Sequence, residues 1–240
     1  MQILPPGQRR QMEIVARVGP NRARCQPIPS TSFGTHLAIQ CATMSVMPGR
    51  DEAWPANPGV KLTYEDFVLF PDDGKRHELI DGEHFVTPAP NTKHQAIVVN
   101  LTGMIWTYLQ QRKIGRVLAA PFDVVFSDFD VVEPDLLYLS NARAEVVLTP
   151  KHARGAPDLV VEIGSESTRK RDETIKRRLY ERFGVNEYWV IDPEIDTIKV
   201  YRRAGDRYER TAELSLENGD VLTTPLLPGL DLPLAKIFED

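Results

Sequence analysis

Three acidic residues lie within or at the start of apolar runs that have the character of buried strands: Glu78, Asp135 and Glu162. An unpaired charge is costly to bury, so each of these acids requires either a core arginine or a bound cation as its partner. Carboxylate oxygens and water are the ligands that Mg²⁺ and Mn²⁺ prefer. Three acids on neighbouring strands therefore favour a shared site for Mg²⁺ or Mn²⁺ over three separate ion pairs.

The segment after Glu162 carries several basic residues. Lys176 lies one helical turn beyond Asp172, a spacing that fits a salt bridge on a solvated helix face worth about 0.3–0.5 kcal/mol. The same spacing fits a lysine that reaches toward the metal and positions or deprotonates the attacking water. Arg169–Arg171 oppose the helix dipole in the first turn, so an anionic partner is expected near them.

Four further residues are candidates for contacting the substrate or supporting the site. Ser165 and Thr168 precede the helix, whose N-terminal amides favour an anion such as a phosphate, although Thr168 is also a simple N-cap. His94 lies in the first turn of a long helix, where a surface or capping role is the alternative. Asp158 lies about 13 Å along the strand from Glu162, too far to share one metal, so a structural or supporting role is predicted.

Several other chemistries are excluded. Residues 59–240 contain no cysteine, which excludes thiolate zinc sites, cysteine nucleophiles and disulfides from that part. The sequence has neither a Walker-type phosphate loop nor a dinucleotide glycine pattern. The run that begins at Gly164 lacks the second glycine of a hydrolase nucleophile elbow, and the histidines show no HExxH spacing.

The apolar pattern predicts the elements that position these residues. Asp81-Gly82 indicates a tight hairpin turn, and the four- and three-residue spacing of Ile97, Leu101, Ile105 and Tyr108 predicts one helix between Asn91 and Arg112. A second helix is predicted over Thr168–Phe183, with Ile175, Leu179 and Phe183 facing inward. The remaining predicted elements are a short helix opened by Thr63, strands near 116–120, 123–126, 133–139, 157–163 and 187–191, and a hairpin over 198–213.

This order of elements predicts an α/β (α+β) fold with a central mixed β-sheet flanked by helices and additional β-hairpins. Residues 59–240 are predicted to form a single domain. Residues 1–58 carry a charge of +3 and the rest −8, which together make the net charge of −5. With many prolines and little apolar periodicity, residues 1–58 are predicted to be a disordered extension or to lie upstream of the natural start.

Composition also bears on location and partners. The sequence contains no run of about 18 apolar residues, so no membrane span is predicted. The first residues lack the apolar centre of a secretory signal, which makes the cytoplasm the expected compartment. The acidic balance argues against a protein that coats nucleic acid by neutralising phosphates. It does not argue against an enzyme that brings metal ions to a phosphodiester.

Six segments in chain order carry a family resemblance: His77–Gly82, Pro88–His94, Glu133–Leu136, Gly155–Glu162, Asp172–Tyr180 and Gly184–Pro193. Together they resemble the Uma-type restriction endonuclease family, a branch of the PD-(D/E)XK phosphodiesterase superfamily. The resemblance covers residues 61–238 and implies a restriction-endonuclease-like core. It matches Asp135 to the motif aspartate, Glu162 to the strand acid and Glu78 to the acid of the N-terminal element.

Two positions depart from the pattern. Gly164 stands where the superfamily usually has a lysine, and the resemblance implies that Lys176 on the following helix takes its place. Glu166 replaces the proline of the usual Ser-Pro-Ser-Thr run and adds negative charge near the site. Neither change removes a predicted ligand.

These observations lead to two functional hypotheses. The first is metal-dependent hydrolysis of a nucleic-acid phosphodiester, with DNA as the expected substrate. Asp135 and Glu162 would hold Mg²⁺ or Mn²⁺, Glu78 would assist and Lys176 would position the nucleophile. The second is a catalytically inactive nuclease-fold module that binds a partner or regulates as a homodimer, with Tyr188-Trp189 and residues 226–234 as its interface.

Overall fold

The computed structural model describes residues 59–165 and 168–239, so the extension predicted at 1–58 lies outside the described residues, as do Glu166 and Ser167. The helices are α1 (Tyr64–Phe67), α2 (Thr92–Arg112), α3 (Asn141–Val147), α4 (Arg169–Arg171), α5 (Arg177–Phe183) and α6 (Leu234–Ile237), with a π-helical turn at Asp172–Lys176 between α4 and α5. The strands are β1 (Arg76–Ile80), β2 (Glu83–Thr87), β3 (Gly115–Ala119), β4 (Val124–Ser127), β5 (Asp130–Val132), β6 (Leu136–Ser140), β7 (Ala153–Arg154), β8 (Leu159–Ile163), β9 (Glu187–Asp192), β10 (Thr197–Ala204), β11 (Arg207–Ser215), β12 (Val221–Leu222) and β13 (Leu232–Pro233).

The predicted central mixed sheet is confirmed as a six-stranded sheet in the order β11-β10-β9-β8-β6-β3. Within it, β8 and β9 are parallel and are joined through the helical segment 169–183, while the other pairs are antiparallel. A second, five-stranded sheet in the order β2-β1-β5-β4-β7 extends the predicted N-terminal hairpin. The sequence pattern predicts that hairpin and the strand β4 but gives no signal for β5 and β7, because these strands have only three and two residues.

The central sheet is buried on both faces. One face packs against the predicted α2 stripe of Ile97, Leu101, Ile105 and Tyr108 together with the C-terminal segment. The other face packs against α3, α5 and strands of the second sheet. Tyr188, Trp189 and the leucines at 227, 232 and 234 all lie in these cores, so the dimer interface predicted from them is wrong, and homodimerisation itself stays a prediction.

The turn between β1 and β2 confirms the hairpin that was predicted from Asp81-Gly82. Both residues have positive φ angles, 52° for Asp81 and 75° for Gly82, as a two-residue turn between antiparallel strands requires. This turn fixes the register of β1, in which Glu78 pairs with Phe85 of β2. The side chain of Glu78 is thereby directed into the interior between the two sheets, where it is buried.

The helix predicted over Thr168–Phe183 is interrupted by the π-helical turn, and its predicted inward stripe is wrong at one end. Ile175 is 41% exposed, whereas Asp172, Lys176, Leu179 and Tyr180 face inward and are buried. Positions 172, 176 and 180 are four residues apart and so share one face of the helical segment. That face, together with Leu179, lies toward the sheet, which buries the charged side chains at 172 and 176 and leaves Ile175 partly exposed.

Candidate active site

Lys176 lies at the centre of a buried cluster of acids. Its Nζ atom is 2.7 Å from Oε1 of Glu78 and 2.9 Å from Oε1 of Glu162, and its side chain is only 2% exposed. Oδ1 of Asp172, one turn earlier, is 4.0 Å away. The interpretation of Lys176 as part of a salt bridge on a solvated helix face is therefore wrong, because the side chain lies in the interior.

Glu162 lies in β8 with its side chain on the face that meets the helical segment. Its Oε1 atom accepts a hydrogen bond from the Lys176 ammonium and a second one, of 2.5 Å, from the Tyr180 hydroxyl. Burial raises the pKa of Glu162 to about 8; the Lys176 charge opposes this rise, and the neighbouring acids add to it. The ionised form of Glu162 is therefore unfavourable in this interior unless a cation lies next to it.

Asp135 lies beside Glu162 on the neighbouring strand. It comes one residue before Leu136, which pairs with Val161 across the antiparallel strands β6 and β8. Leu136 and Val161 pack on the α2 face of the sheet, so Asp135 and Glu162, next to them in alternating strands, both project from the other face. Sequence reasoning predicts that these acids lie on neighbouring strands, and the register brings them side by side.

Asp135 is held by three donors. Its Oδ1 atom accepts a 2.5 Å hydrogen bond from Nη1 of Arg76, and its Oδ2 atom accepts one of 2.7 Å from the amide of Ile163. Nε2 of His94 lies 3.2 Å from the same Oδ2. Burial alone would raise the pKa of Asp135, but the His94 hydrogen bond and the Arg76 charge outweigh it and lower the pKa to about 2. Asp135 is therefore ionised at neutral pH.

Glu78 is also engaged by protein donors. Its Oε1 atom pairs with the Lys176 ammonium and accepts a hydrogen bond of 3.1 Å from the backbone amide of Glu133. Nη2 of Arg171 lies 3.5 Å from its other oxygen, Oε2. Burial would raise the pKa of Glu78, but the charges of Lys176 and Arg171 lower it. The structure thus brings Glu78, Asp135, Glu162, Lys176 and His94 of the predicted set into one cluster.

Arg169 and Arg171 have their anionic partners within the chain. Arg169 pairs with Asp192 at 3.0 Å and Glu194 at 2.8 Å, while Arg171 approaches Glu78 and donates to the Thr87 hydroxyl at 2.8 Å. Asp192, Glu194 and Glu78 therefore offset the unfavourable interaction of the two arginines with the helix dipole. The placement of the arginines does not indicate an external anion.

The other predicted residues lie farther from this cluster. The carboxylate of Asp158 accepts hydrogen bonds from the Ser140 amide at 2.7 Å and the Asn186 side chain at 3.0 Å, which joins β6, β8 and the start of β9. Thr168 makes no side-chain capping bond to α4; its hydroxyl accepts the Ser165 amide at 3.0 Å. The contacts of Asp158 fit the structural role predicted for it, whereas the capping bond expected of the Thr168 side chain is not formed.

Sequence reasoning missed three residues of the cluster: Arg76, Glu133 and Tyr180. Tyr180 follows Lys176 by four residues, a helical spacing that was available as a signal. Glu133 precedes Pro134-Asp135, and burial raises its pKa to about 7. Arg76 had no sequence signal, because its partner Asp135 is brought to it only by pairing between β1 and β5 and the turn into β6.

The buried acids offer oxygen ligands of the kind that a divalent metal binds. Among residues 59–165 and 168–239, no group of three or more His, Cys, Asp or Glu side chains is arranged to hold a metal ion. Mg²⁺, however, is commonly held by one or two carboxylates plus water and substrate oxygens, and Asp135 and Glu162 on neighbouring strands are the pair that would hold it. Buried oxygens Oε2 of Glu78 and Oδ1 of Asp172 have no hydrogen-bond partner, although Arg171 lies 3.5 Å from the first and Lys176 lies 4.0 Å from the second.

Taken together, the mixed sheet, the flanking helices and the strand acids beside a lysine define the class as restriction-endonuclease-like. The model of the Uma2 family, described as "Putative restriction endonuclease", matches residues 64–235. The chain belongs to this family, which confirms the resemblance found in the sequence.

A solved structure supports the same fold. The chain is similar to a protein from Anabaena variabilis ATCC 29413, described as a putative nuclease belonging to DUF820, with a TM-score of 0.63 and 23% sequence identity. The match covers 74% of this chain and 97% of that one. No curated protein sequence matches the chain.

A membrane-spanning element is not found in the part of the chain that the structure describes. None of its helices combines the length and the apolar character needed to cross a bilayer.

Proposed function

We propose that this protein is a metal-dependent endonuclease that hydrolyses phosphodiester bonds in DNA. The observation that carries the proposal is the buried lysine Lys176, paired with Glu162 at 2.9 Å, beside Asp135 on the neighbouring strand. Membership of a restriction endonuclease family supports a nucleic-acid substrate and, by that description, DNA. A structural core has little reason to concentrate five acids and three bases at one point, since each buried charge is costly.

In this proposal Asp135 and Glu162 hold Mg²⁺ or Mn²⁺. When bound, the ion would supply Lewis-acid stabilisation of the phosphoryl charge and lower the pKa of a water molecule. His94 and the Ile163 amide keep the Asp135 carboxylate in one orientation through their contacts with its Oδ2 atom. Lys176 positions the nucleophile and offsets negative charge. Glu78 serves this lysine as an anchor, because Lys176, Arg171 and a backbone amide already engage its carboxylate.

Exposure indicates the side from which DNA approaches. The side chains of Lys176, Glu78 and Asp135 are each about 2% exposed, whereas that of Arg76 is 21% exposed. The guanidinium of Arg76 is therefore the cation of the cluster that solvent and a phosphate reach most readily. Planar guanidinium groups bind phosphate oxygens through paired hydrogen bonds, so we assign Arg76 to the scissile or an adjacent phosphate.

The proposal is tested by incubating supercoiled plasmid with the purified full chain in Mg²⁺, in Mn²⁺ and in EDTA. We expect nicked or linear product only with a divalent ion, and loss of at least about 99% of it in Asp135→Asn, because an amide is a much weaker ligand. Asp158→Asn is the matched control, since this buried aspartate lies at the opposite end of β8 and holds only protein donors.

Cleavage that persists in EDTA, or equal cleavage by wild type and Asp135→Asn, would contradict the proposal. Binding of DNA with no cleavage in either metal would favour the inactive binding module instead. A linear substrate of single-stranded RNA in the same series decides between DNA and RNA.

A further inference from the structure

Tyr180 places a phenol hydroxyl directly on the proposed metal ligand Glu162. The hydroxyl donates to Oε1 of Glu162 at 2.5 Å, and the side chain is completely buried. The ring is fixed by Phe126 and Tyr188, whose ring centroids lie 5.9 Å and 4.9 Å from its own. Tyr180 therefore has one well-defined position and a single short bond to the site.

The donor on the neighbouring turn uses the same oxygen. Lys176 and Tyr180 are four residues apart, lie on one face of the helical segment and both donate to Oε1 of Glu162. Two donors from one rigid face that meet on one oxygen fix the rotation of the whole carboxyl group. The other oxygen, Oε2, is thereby held in one direction, which is the requirement for a metal with strict octahedral geometry.

A second buried tyrosine, Tyr188, shows that a phenol hydroxyl in this core can find a hydrogen-bond acceptor other than Glu162. Tyr188 packs against Tyr180 and is equally buried, but its hydroxyl donates to the backbone carbonyl of Asp172 at 3.1 Å. The Tyr188 hydroxyl thus links β9 to the π turn, whereas the Tyr180 hydroxyl donates to the site acid Glu162. The two residues form a natural pair for comparison.

We propose that Tyr180 is a positioning residue that orients Glu162 for metal binding, an inference that rests on the proposed function. Hydrogen bonds to the ligating groups of metal sites set ligand orientation, and their loss typically costs about 10–100-fold in metal affinity. The assignment extends the metal machinery beyond Asp135 and Glu162 to a neutral residue on the helix that carries Lys176.

The test compares Tyr180→Phe with Tyr188→Phe, each of which removes one buried hydroxyl and leaves its ring. Mn²⁺ affinity is measured by electron paramagnetic resonance of the free ion, and plasmid cleavage is measured across a Mg²⁺ titration. For Tyr180→Phe we expect Mn²⁺ affinity to fall about 10–100-fold, with most of the maximal cleavage recovered at saturating Mg²⁺. Tyr188→Phe is expected to bind Mn²⁺ as the wild type does, even where its melting temperature falls.

Mn²⁺ binding and DNA cleavage by the wild type test the proposed function, whereas the difference between the two tyrosine variants tests the role of Tyr180. If wild type binds Mn²⁺ and cleaves DNA, and Tyr180→Phe binds Mn²⁺ with the same affinity as Tyr188→Phe, the positioning role is overturned and the proposed function stands. If wild type neither binds Mn²⁺ nor cleaves, both are overturned.

A further measurement on the wild type keeps the inference testable if Tyr180→Phe does not fold. Mg²⁺ bound at Glu162 must perturb the hydrogen bond of Tyr180, so we expect a Mg²⁺-induced tyrosine difference spectrum in the ultraviolet. A spectrum that stays unchanged while Mg²⁺ binds overturns the inference. Where the variants do fold, the signal is expected to vanish in Tyr180→Phe and to persist in Tyr188→Phe.

Discussion

Lys176→Met is expected to lower the free energy of unfolding by about 3–5 kcal/mol, the usual cost of removing one partner from a buried ion pair. The substitution keeps the length of the side chain but leaves Glu78 and Glu162 without the ammonium that lies within 3 Å of both. Urea denaturation of the two proteins at neutral pH measures the difference. Adding Glu78→Gln to Lys176→Met is expected to recover a large part of the loss, because Lys176 lowers the pKa of Glu78 and this carboxylate is the charge that the substitution leaves unpaired.

Lys199→Met is the matched control for this experiment. Lys199 also pairs with a glutamate, Glu173, at 2.7 Å, but both side chains are partly exposed. Such pairs contribute between zero and about 1 kcal/mol, so the control is expected to change stability little. A loss below about 1 kcal/mol in Lys176→Met, no larger than in the control, would show that the lysine is not the counter-ion of the buried acids.

Glu162→Gln is expected to abolish cleavage and yet to stabilise the metal-free protein at alkaline pH. Burial raises the pKa of Glu162 to about 8 from an ordinary value of 4.5. Between these two values the folded chain retains a proton that the unfolded chain has released. The stabilisation from that proton is complete below about pH 4.5, falls as pH rises by at most about 1.4 kcal/mol per unit, and is lost above about pH 8.

Glutamine does not titrate, so the variant lacks this decline. Unfolding curves of both proteins from pH 5 to pH 9 in EDTA are expected to diverge as pH rises, with the variant becoming the more stable. Cleavage in Mg²⁺ is expected to fall at least about a hundredfold, since one of two carboxylate ligands is gone. Parallel stability curves would contradict the raised pKa, and retained cleavage would contradict the ligand role.

Much of the fold was predictable because its signals are local. The spacing of Ile97, Leu101 and Ile105 predicts α2, and Asp81-Gly82 predicts the first hairpin; the structure confirms both. The strand around Glu162 was equally clear, because an acid inside a continuous apolar run is a conspicuous exception. These features depend on residues close in sequence, which periodicity and turn chemistry detect directly.

The unpredicted features depend on contacts between distant segments. The π turn at 172–176 has no sequence signal that we recognise, and the apolar pattern does not predict that Lys176 is buried while Ile175 is partly exposed. Arg76 reaches Asp135 across 59 residues of chain. A change of one residue in strand register or helix phase alters such contacts, so local patterns single out the buried acids but do not identify the partners of each.

The most direct test of the account is whether Asp135 and Glu162 together hold a divalent ion. Electron paramagnetic resonance of Mn²⁺ titrated into the full chain is expected to show one ion bound per wild-type chain. We expect that binding to be lost or greatly weakened in Asp135→Asn and in Glu162→Gln, and to be unchanged in Asp158→Asn. Equal Mn²⁺ binding by all four proteins would contradict the account, because the ion would then be held elsewhere.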